Sequence, residues 1–443
     1  MSKRVTLVLL ISLFGLFSLV PAQRYEGKDA GKCMTCHKEK SPGLYKQWHG
    51  SMHAEHNVTC LDCHIAESSD KDAFKHEGVY IATLVTPKDC GKCHEKEAME
   101  VQSSYHATAG EILESKDAYL AHVAGGEPVV IMGCESCHGG KVIIDEKSPN
   151  KLSMKSWPNS GIGRLNPDGS KGACVACHTR HSFSKAQARQ PESCSKCHLG
   201  PDHPQKEIYE ESKHGNAYYT NIDQMNLKSD SWVVGVDYYE APTCATCHMS
   251  ATKRQKITHD VGQRLQWTLR PPISKKKKNF AQKRKNMEDV CVACHGTRFT
   301  DGHFYQYDAF VEMYNEKFAK PATKIINLIK KKKLLKSPAA FGNEVEWLYW
   351  ELWHHEGRRA RHGAAMMGPD YAWWHGIYDV AHNFYFKFIP EAQHLGDKDV
   401  NTLIEEILNT PMHKWIKESS KELKGKIRKG THKQIYKNLF GKK

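Results

Sequence analysis

Every cysteine in this chain stands in a C-x-x-C-H unit. The units are CMTCH at 33–37, CLDCH at 60–64, CGKCH at 90–94, CESCH at 134–138, CVACH at 174–178, CSKCH at 194–198, CATCH at 244–248 and CVACH at 291–295. They consume all 16 cysteines. That many cysteines in a secreted protein would ordinarily imply a disulfide framework. A disulfide, a redox dithiol or half a zinc site gives no reason for a histidine after every pair. Eight such units are the mark of c-type haem attachment. Two thiols add across the haem vinyls, and the next histidine takes the iron from one side. The attachment residues are then Cys33, Cys36, Cys60, Cys63, Cys90, Cys93, Cys134, Cys137, Cys174, Cys177, Cys194, Cys197, Cys244, Cys247, Cys291 and Cys294. The proximal ligands are His37, His64, His94, His138, His178, His198, His248 and His295, for eight c-type haems in all.

So many porphyrins dictate the architecture. They are themselves the apolar filling, which predicts short helices and loops wrapped on haem stacks, with few strands. After about residue 303 there are no cysteines, and HFYQYDAFVEMYNEKFAKPATKIINLIKK, NEVEWLYWELWHHEGRRARHGAAMM and DYAWWHGIYDVAHNFYFKFIPEAQHL carry helical periodicity. Pro321, Ser337-Pro338, Gly368-Pro369 and Pro390 punctuate them. The expected fold is mainly α: a multihaem cytochrome c core over 23–300, then a helical domain of two or three long helices over 301–443. The Lys330–Lys333 run reads as a solvated helix end that suits the C-terminal dipole.

The N-terminus opens with Lys3 and Arg4, an apolar run from Val5 to Val20, and PAQ. This predicts a secretory signal over 1–22, cut after Ala22, and a periplasmic or equivalent extracytoplasmic protein. No later segment is long and apolar enough to suggest a membrane span. The formal charge of +14 is reduced by the haems, each of which brings two propionates against one uncompensated ferric charge. Nucleic acid is therefore not an expected partner; small anions are.

Of 27 histidines eight follow a motif, leaving nineteen, enough to give every iron a second imidazole. Local context selects His49 or His53 (QWHGSMHAE), His76, His106, His181, His214, His259 and His375 as distal ligands. His122, His303, His354, His355, His362 and His382 are substitutes, and His413 and His432 read as surface residues. Asp202 and His203, between Pro201 and Pro204, differ from these: a carboxylate beside an imidazole raises its pKa, orients it and suits proton transfer. In PDYAWWHGIY, Tyr371 and Tyr378 lie four and three residues from His375, so a helix would put all three on one face.

The eight motifs, with PNSGIGRLNPDGSKGACVACHTRHSF, LGPDHPQKEIYEESKHG, PTCATCHMSAT and PDYAWWHGIYDVAHNFY, resemble the octahaem hydroxylamine oxidoreductase family over nearly the whole mature chain. The resemblance implies a five-coordinate substrate haem at Cys134, Cys137 and His138, with Asp202 and His203 on its open side. It implies a homotrimer in which a C-terminal helix enters the neighbouring subunit. In oxidative members a tyrosine of that helix is bonded to the neighbour's catalytic porphyrin; Tyr371 or Tyr378 would fill that role, with Tyr371 favoured because it follows the Gly-Pro break where the chain enters the helix. The implied activity is oxidation of hydroxylamine or hydrazine, with electrons leaving through bis-histidine haems to a partner such as a small cytochrome c. The alternatives are reduction of nitrite or hydroxylamine at the same site, and a pure electron carrier.

Overall fold

The computed structural model describes residues 28–114 and 116–440. The expected signal segment lies outside the described residues. From residue 28 to about 296 the chain is a succession of short helices and turns, and the sole sheet among the described residues is the hairpin Phe74–His76/Val79–Ile81. No helix among the described residues is long and apolar enough to cross a membrane.

The haem motifs themselves nucleate many of these helices. Cys60–His64 and Cys244–His248 are each a single helical turn. One turn puts the two cysteines of C-x-x-C on one face, with the histidine directly after them. Threonines start the turns: Thr59 N–H donates to Asp62 Oδ2 at 2.7 Å, and Thr243 N–H donates to Thr246 Oγ1 at 2.9 Å. These caps satisfy donors that a short helix would otherwise leave orphaned.

Beyond residue 296 three continuous rods run over 297–331, 344–365 and 369–394. They bury Tyr314, Phe318, Ile325, Leu352, Phe384 and Phe388 against Val400 and Ile404 of helix Lys398–Leu408. Pro321 and Pro390 were expected to punctuate the helices, yet both rods pass through them. A proline removes a helical N–H and its ring strikes the carbonyl four residues back. Here the π-turns Asn315–Ala319 and Phe384–Phe388 stand immediately ahead of the two prolines and widen the backbone where each ring must fit. Ser337-Pro338 and Gly368-Pro369 do fall between rods. The lysine run ends the first rod, and Lys332 reaches across to Asp397 and Asp399 at 2.8 and 2.6 Å.

His413 departs from its expected surface position. It is only 1% exposed, sharing a 2.7 Å hydrogen bond between its Nδ1 and Tyr385 Oη. Its charged sequence neighbours hid this, because the turn ahead of Lys414–Lys417 folds back under the third rod.

Candidate haem sites and substrate pocket

One continuous cavity of about 3730 Å³ is lined by all sixteen cysteines and all eight histidines that follow them, and is closed on one side by residues of the helical region such as His354 and Arg358. An ordinary ligand pocket holds roughly 300–1,000 Å³. This space suits several large prosthetic groups rather than one small molecule.

Facing imidazoles give a sharper test of fit. Two histidines on opposite sides of an iron are separated by two metal–nitrogen bonds of about 2 Å each plus the inner halves of both rings, roughly 6 Å between centroids. Ring centroids lie 6.4 Å apart for His37 and His76, 6.3 Å for His64 and His181, and 6.2 Å for His94 and His53. They lie 6.4 Å apart for His178 and His259, 6.2 Å for His198 and His106, and 6.0 Å for His295 and His214. Ring tautomers fit as well. His64 Nδ1–H donates to the Ala82 carbonyl at 2.8 Å, leaving Nε2 for metal, and backbone bonds at Val261 and Ala109 serve His248 and His138 similarly. Burial pushes His106, His178, His181 and His248 down to about 4, which keeps these imidazoles neutral, as ligands must be.

One expected ligand lies elsewhere, and the choice between His49 and His53 falls on one side. Of the QWHGSMHAE pair His53 faces His94, while His49 is exposed against Tyr45 and Trp48. His375 faces no motif histidine: its Nδ1 lies 2.5 Å from Asp370 Oδ2, and the ring is more than half exposed. The reason is local. The π-turn Trp373–Tyr378 turns His375 outward, where the carboxylate five residues earlier captures it. Tyr371 still shares its side of the helix, with ring centroids 5.4 Å apart, but Tyr378 instead packs on Trp373 and Trp374. His303, weighed only as a substitute, lines the cavity and lies close enough to His214 to interact with it.

The cysteines trace the order in which the motifs meet. The Cys90 and Cys174 thiols hydrogen-bond, as do Cys194 with Cys244 and Cys137 with Cys197. Cys33 stands near Cys60, Cys63 near Cys93, Cys177 near Cys194 and Cys247 near Cys291. The order is first, second, third, fifth, sixth, seventh, eighth, and the fourth motif branches from the sixth.

That fourth motif is built on close backbone contact. Gly161 of the SGIGR stretch packs so tightly under it that a Cβ there would stand 2.1 Å from the Gly139 nitrogen. Arg164, fully buried, ties the floor together through Asn166 Oδ1 and the Asn159 and Val85 carbonyls. Among the described residues no imidazole comes within ring distance of His138. What acts on it are His203, Arg270 and Asp202. His203 Nε2 lies 3.6 Å from Asp202 Oδ1, and His203 Nδ1 is buried without a hydrogen-bond partner. His203 also stands 6.1 Å from His198, as near as His106 does. Asp202 Oδ2 accepts from Arg358 at 2.8 Å and lies 3.9 Å from His354 Nε2. Arg358 went unnoticed in the sequence, and His354 was weighed only as a substitute haem ligand. Their signal was present in WHHEGRR: they are four apart on one rod and so share a face.

Two family models match. The model described as "Seven times multi-haem cytochrome CxxCH" covers residues 167–338, and "Cytochrome c7 and related cytochrome c" covers 120–199. A curated relative from Kuenenia stuttgartiensis, named a probable nitrite reductase-hydroxylamine oxidoreductase fusion protein, is 27% identical over 331 residues. The match covers 60% of this chain and 34% of that protein, so the chain spans about a third of the length of its relative. Among solved structures, a hypothetical multiheme protein aligns with a TM-score of 0.71 at 24% identity, over 87% of this chain and 97% of its own. The Kuenenia stuttgartiensis reducing HAO-like protein complex Kustc0457/Kustc0458 aligns with a TM-score of 0.61 at 21% identity, over 86% and 87%. At these identities the two structures speak for the fold. Motifs, cavity, family models and fold agree: the chain is a multihaem cytochrome c, similar in sequence to a nitrite reductase-hydroxylamine oxidoreductase fusion protein and in fold to a hydroxylamine oxidoreductase-like complex.

Proposed function

We propose that this cytochrome is an exported oxidoreductase of small nitrogen compounds, working at the haem of the fourth motif and oxidising hydroxylamine or hydrazine. The observation that carries the reading is the surroundings of His138: among the described residues neither it nor His248 has a facing imidazole, and it is His138 that has the Asp202–His203 pair on hand. The bound haem would supply an iron with one open coordination position and accept the substrate's electrons. Asp202 and His203 do the rest. Oxidation of an N–H compound releases protons with its electrons, and a neutral imidazole oriented by a carboxylate takes them up. The buried, unpartnered His203 Nδ1 offers the second ring position through which a proton passes on.

Eight haems complete the reading, with His53, His76, His106, His181, His214 and His259 as second ligands and His303 replacing His375 at the seventh. The contact of Cys137 with Cys197 makes the sixth motif the nearest neighbour of the fourth, so a haem held there would be the first acceptor of its electrons. They pass to a soluble carrier such as a small cytochrome c.

A second reading, reduction of nitrite or hydroxylamine, is favoured by the cations of the same pocket. Arg270 and Arg358 line it together with His203 and His354, a set of donors that suits an anionic substrate. Steady-state assays of purified holoprotein decide between the two. Faster hydroxylamine-dependent reduction of an acceptor supports oxidation; faster nitrite-dependent oxidation of reduced carrier supports reduction. Neither activity would overturn both.

A further inference from the structure

Asp202 is held by one turn of the second rod, and the manner of holding is specific. Its two oxygens face different partners. Oδ2 takes the Arg358 guanidinium at 2.8 Å and faces His354 Nε2 at 3.9 Å, while Oδ1 is left towards His203 at 3.6 Å. Arg358 is itself fixed on three sides. Its Nε donates to the Arg270 carbonyl at 3.0 Å, its Cζ lies 5.2 Å from the Trp353 ring centroid, and its side chain is 10% exposed. His354 is likewise wedged, stacked on Trp350 with ring centroids 4.1 Å apart and planes 15° from parallel. The π-turn Leu352–Glu356 sits inside this unit and sets the angle at which His354 and Arg358 leave the helix.

We propose that Arg358 is a positioning residue. It locks the Asp202 carboxylate so that one oxygen is spent on the helix and the other is aimed at His203 on the substrate side of the fourth motif. A guanidinium suits this task because it is a planar fork on a stacked platform and cannot lose its charge. Without it, Asp202 is free to rotate about its side-chain bonds, and His203 loses the oxygen that orients it. The idea rests on the functional reading above for its kinetic consequence, though not for its geometry.

The test is a double-mutant cycle on the haem-loaded protein, read in two ways. Arg358→Ala should lower turnover roughly a hundredfold with little change in KM, the cost expected when a reacting group is misplaced by about 1 Å. It should leave haem content unchanged. On an Asp202→Asn background the same substitution should add no more than about twofold, because Arg358 acts through the carboxylate. Added guanidinium should restore part of the loss in Arg358→Ala and none in the double variant. The second reading needs no substrate: cyanide affinity of the ferric protein should shift about tenfold in Arg358→Ala and show the same non-additivity. Wild-type turnover and cyanide affinity in Arg358→Ala would overturn the proposal, as would losses that multiply in full. If Arg358→Ala fails to load haem, Arg358→Lys, which keeps the charge and loses the fork, is taken through the same cycle with the same criteria. If wild-type protein turns over neither hydroxylamine nor nitrite, the functional reading fails and the cyanide cycle alone decides on Arg358.

Discussion

At the scale of single residues, the ionisable groups divide into those facing iron sites and those locked in the helical core. His203 belongs to the first. Its replacement by alanine should lower turnover about a hundredfold or more while haem content and the bis-histidine spectrum stay intact, since a general acid or base contributes about that much. Normal turnover would reduce His203 to a turn residue. His413 belongs to the second. Burial, with the Lys317 ammonium nearby, pushes its imidazole from near 6.5 down to about 4. The folded state holds it neutral, so its stabilising share is complete above pH 6.5 and is lost as pH falls towards 4, where only the unfolded chain takes up the proton readily. Full loss would be about 3 kcal/mol. His413→Gln should lower stability at pH 7 and flatten its fall between pH 6.5 and 4 in urea titrations. An unchanged slope would place the acid sensitivity elsewhere. Motif residues were the most legible part of the sequence, because thioether chemistry fixes their spacing covalently. His413 was not legible, because burial by residues far along the chain leaves no local trace.

Helices and loops were legible where their own sequence decides them. The Thr-capped motif turns and the periodic rods are of that kind. Pro321 and Pro390 were read as breaks, and tertiary packing overrode them: each sits one turn beyond residues buried in the shared core, so the backbone widens instead of ending. His375 failed for a related reason, since a π-turn shifts every following side chain by about 100° from its expected bearing. The SGIGR loop carries the firmest prediction at this scale. Gly161→Ala forces a methyl to 2.1 Å from Gly139 N, against backbone that cannot yield without moving His138. The variant should lose the haem of the fourth motif and retain the others, seen as one fewer haem per chain by pyridine haemochrome and as loss of the 134–138 haem peptide in mass spectra. Full haem content would show that the loop adjusts independently of the motif.

At the scale of the whole molecule, the third rod presents a cluster of exposed aromatic side chains. Trp373, Trp374, Tyr378 and Phe386, all on the third rod, are 50%, 57%, 48% and 59% exposed. Aromatic residues in such number at one face mark a contact with another protein surface. On the proposed oxidative reading that contact would come from a neighbouring subunit, with the rod entering it and one tyrosine bonded to its catalytic porphyrin. Tyr371 is the less available of the two, being half-buried beside Glu207 and Glu211 of its own chain, whereas Tyr378 stands outward among the tryptophans. A head-to-tail ring of three closes on itself, so each chain would be linked to both others. Holoprotein denatured without reductant should then run as a trimer on a gel. Tyr378→Phe should convert it to monomers, and Tyr371→Phe should not. The same variant should raise the potential of the fourth-motif haem and move activity from oxidation towards reduction, because the distorting bond to the ring is gone. Wild-type protein that already runs as a monomer has no such bond. The reductive reading would then hold, and the exposed aromatics would serve only to pack subunits together, which sedimentation at neutral pH would show as a native trimer that falls apart in denaturant.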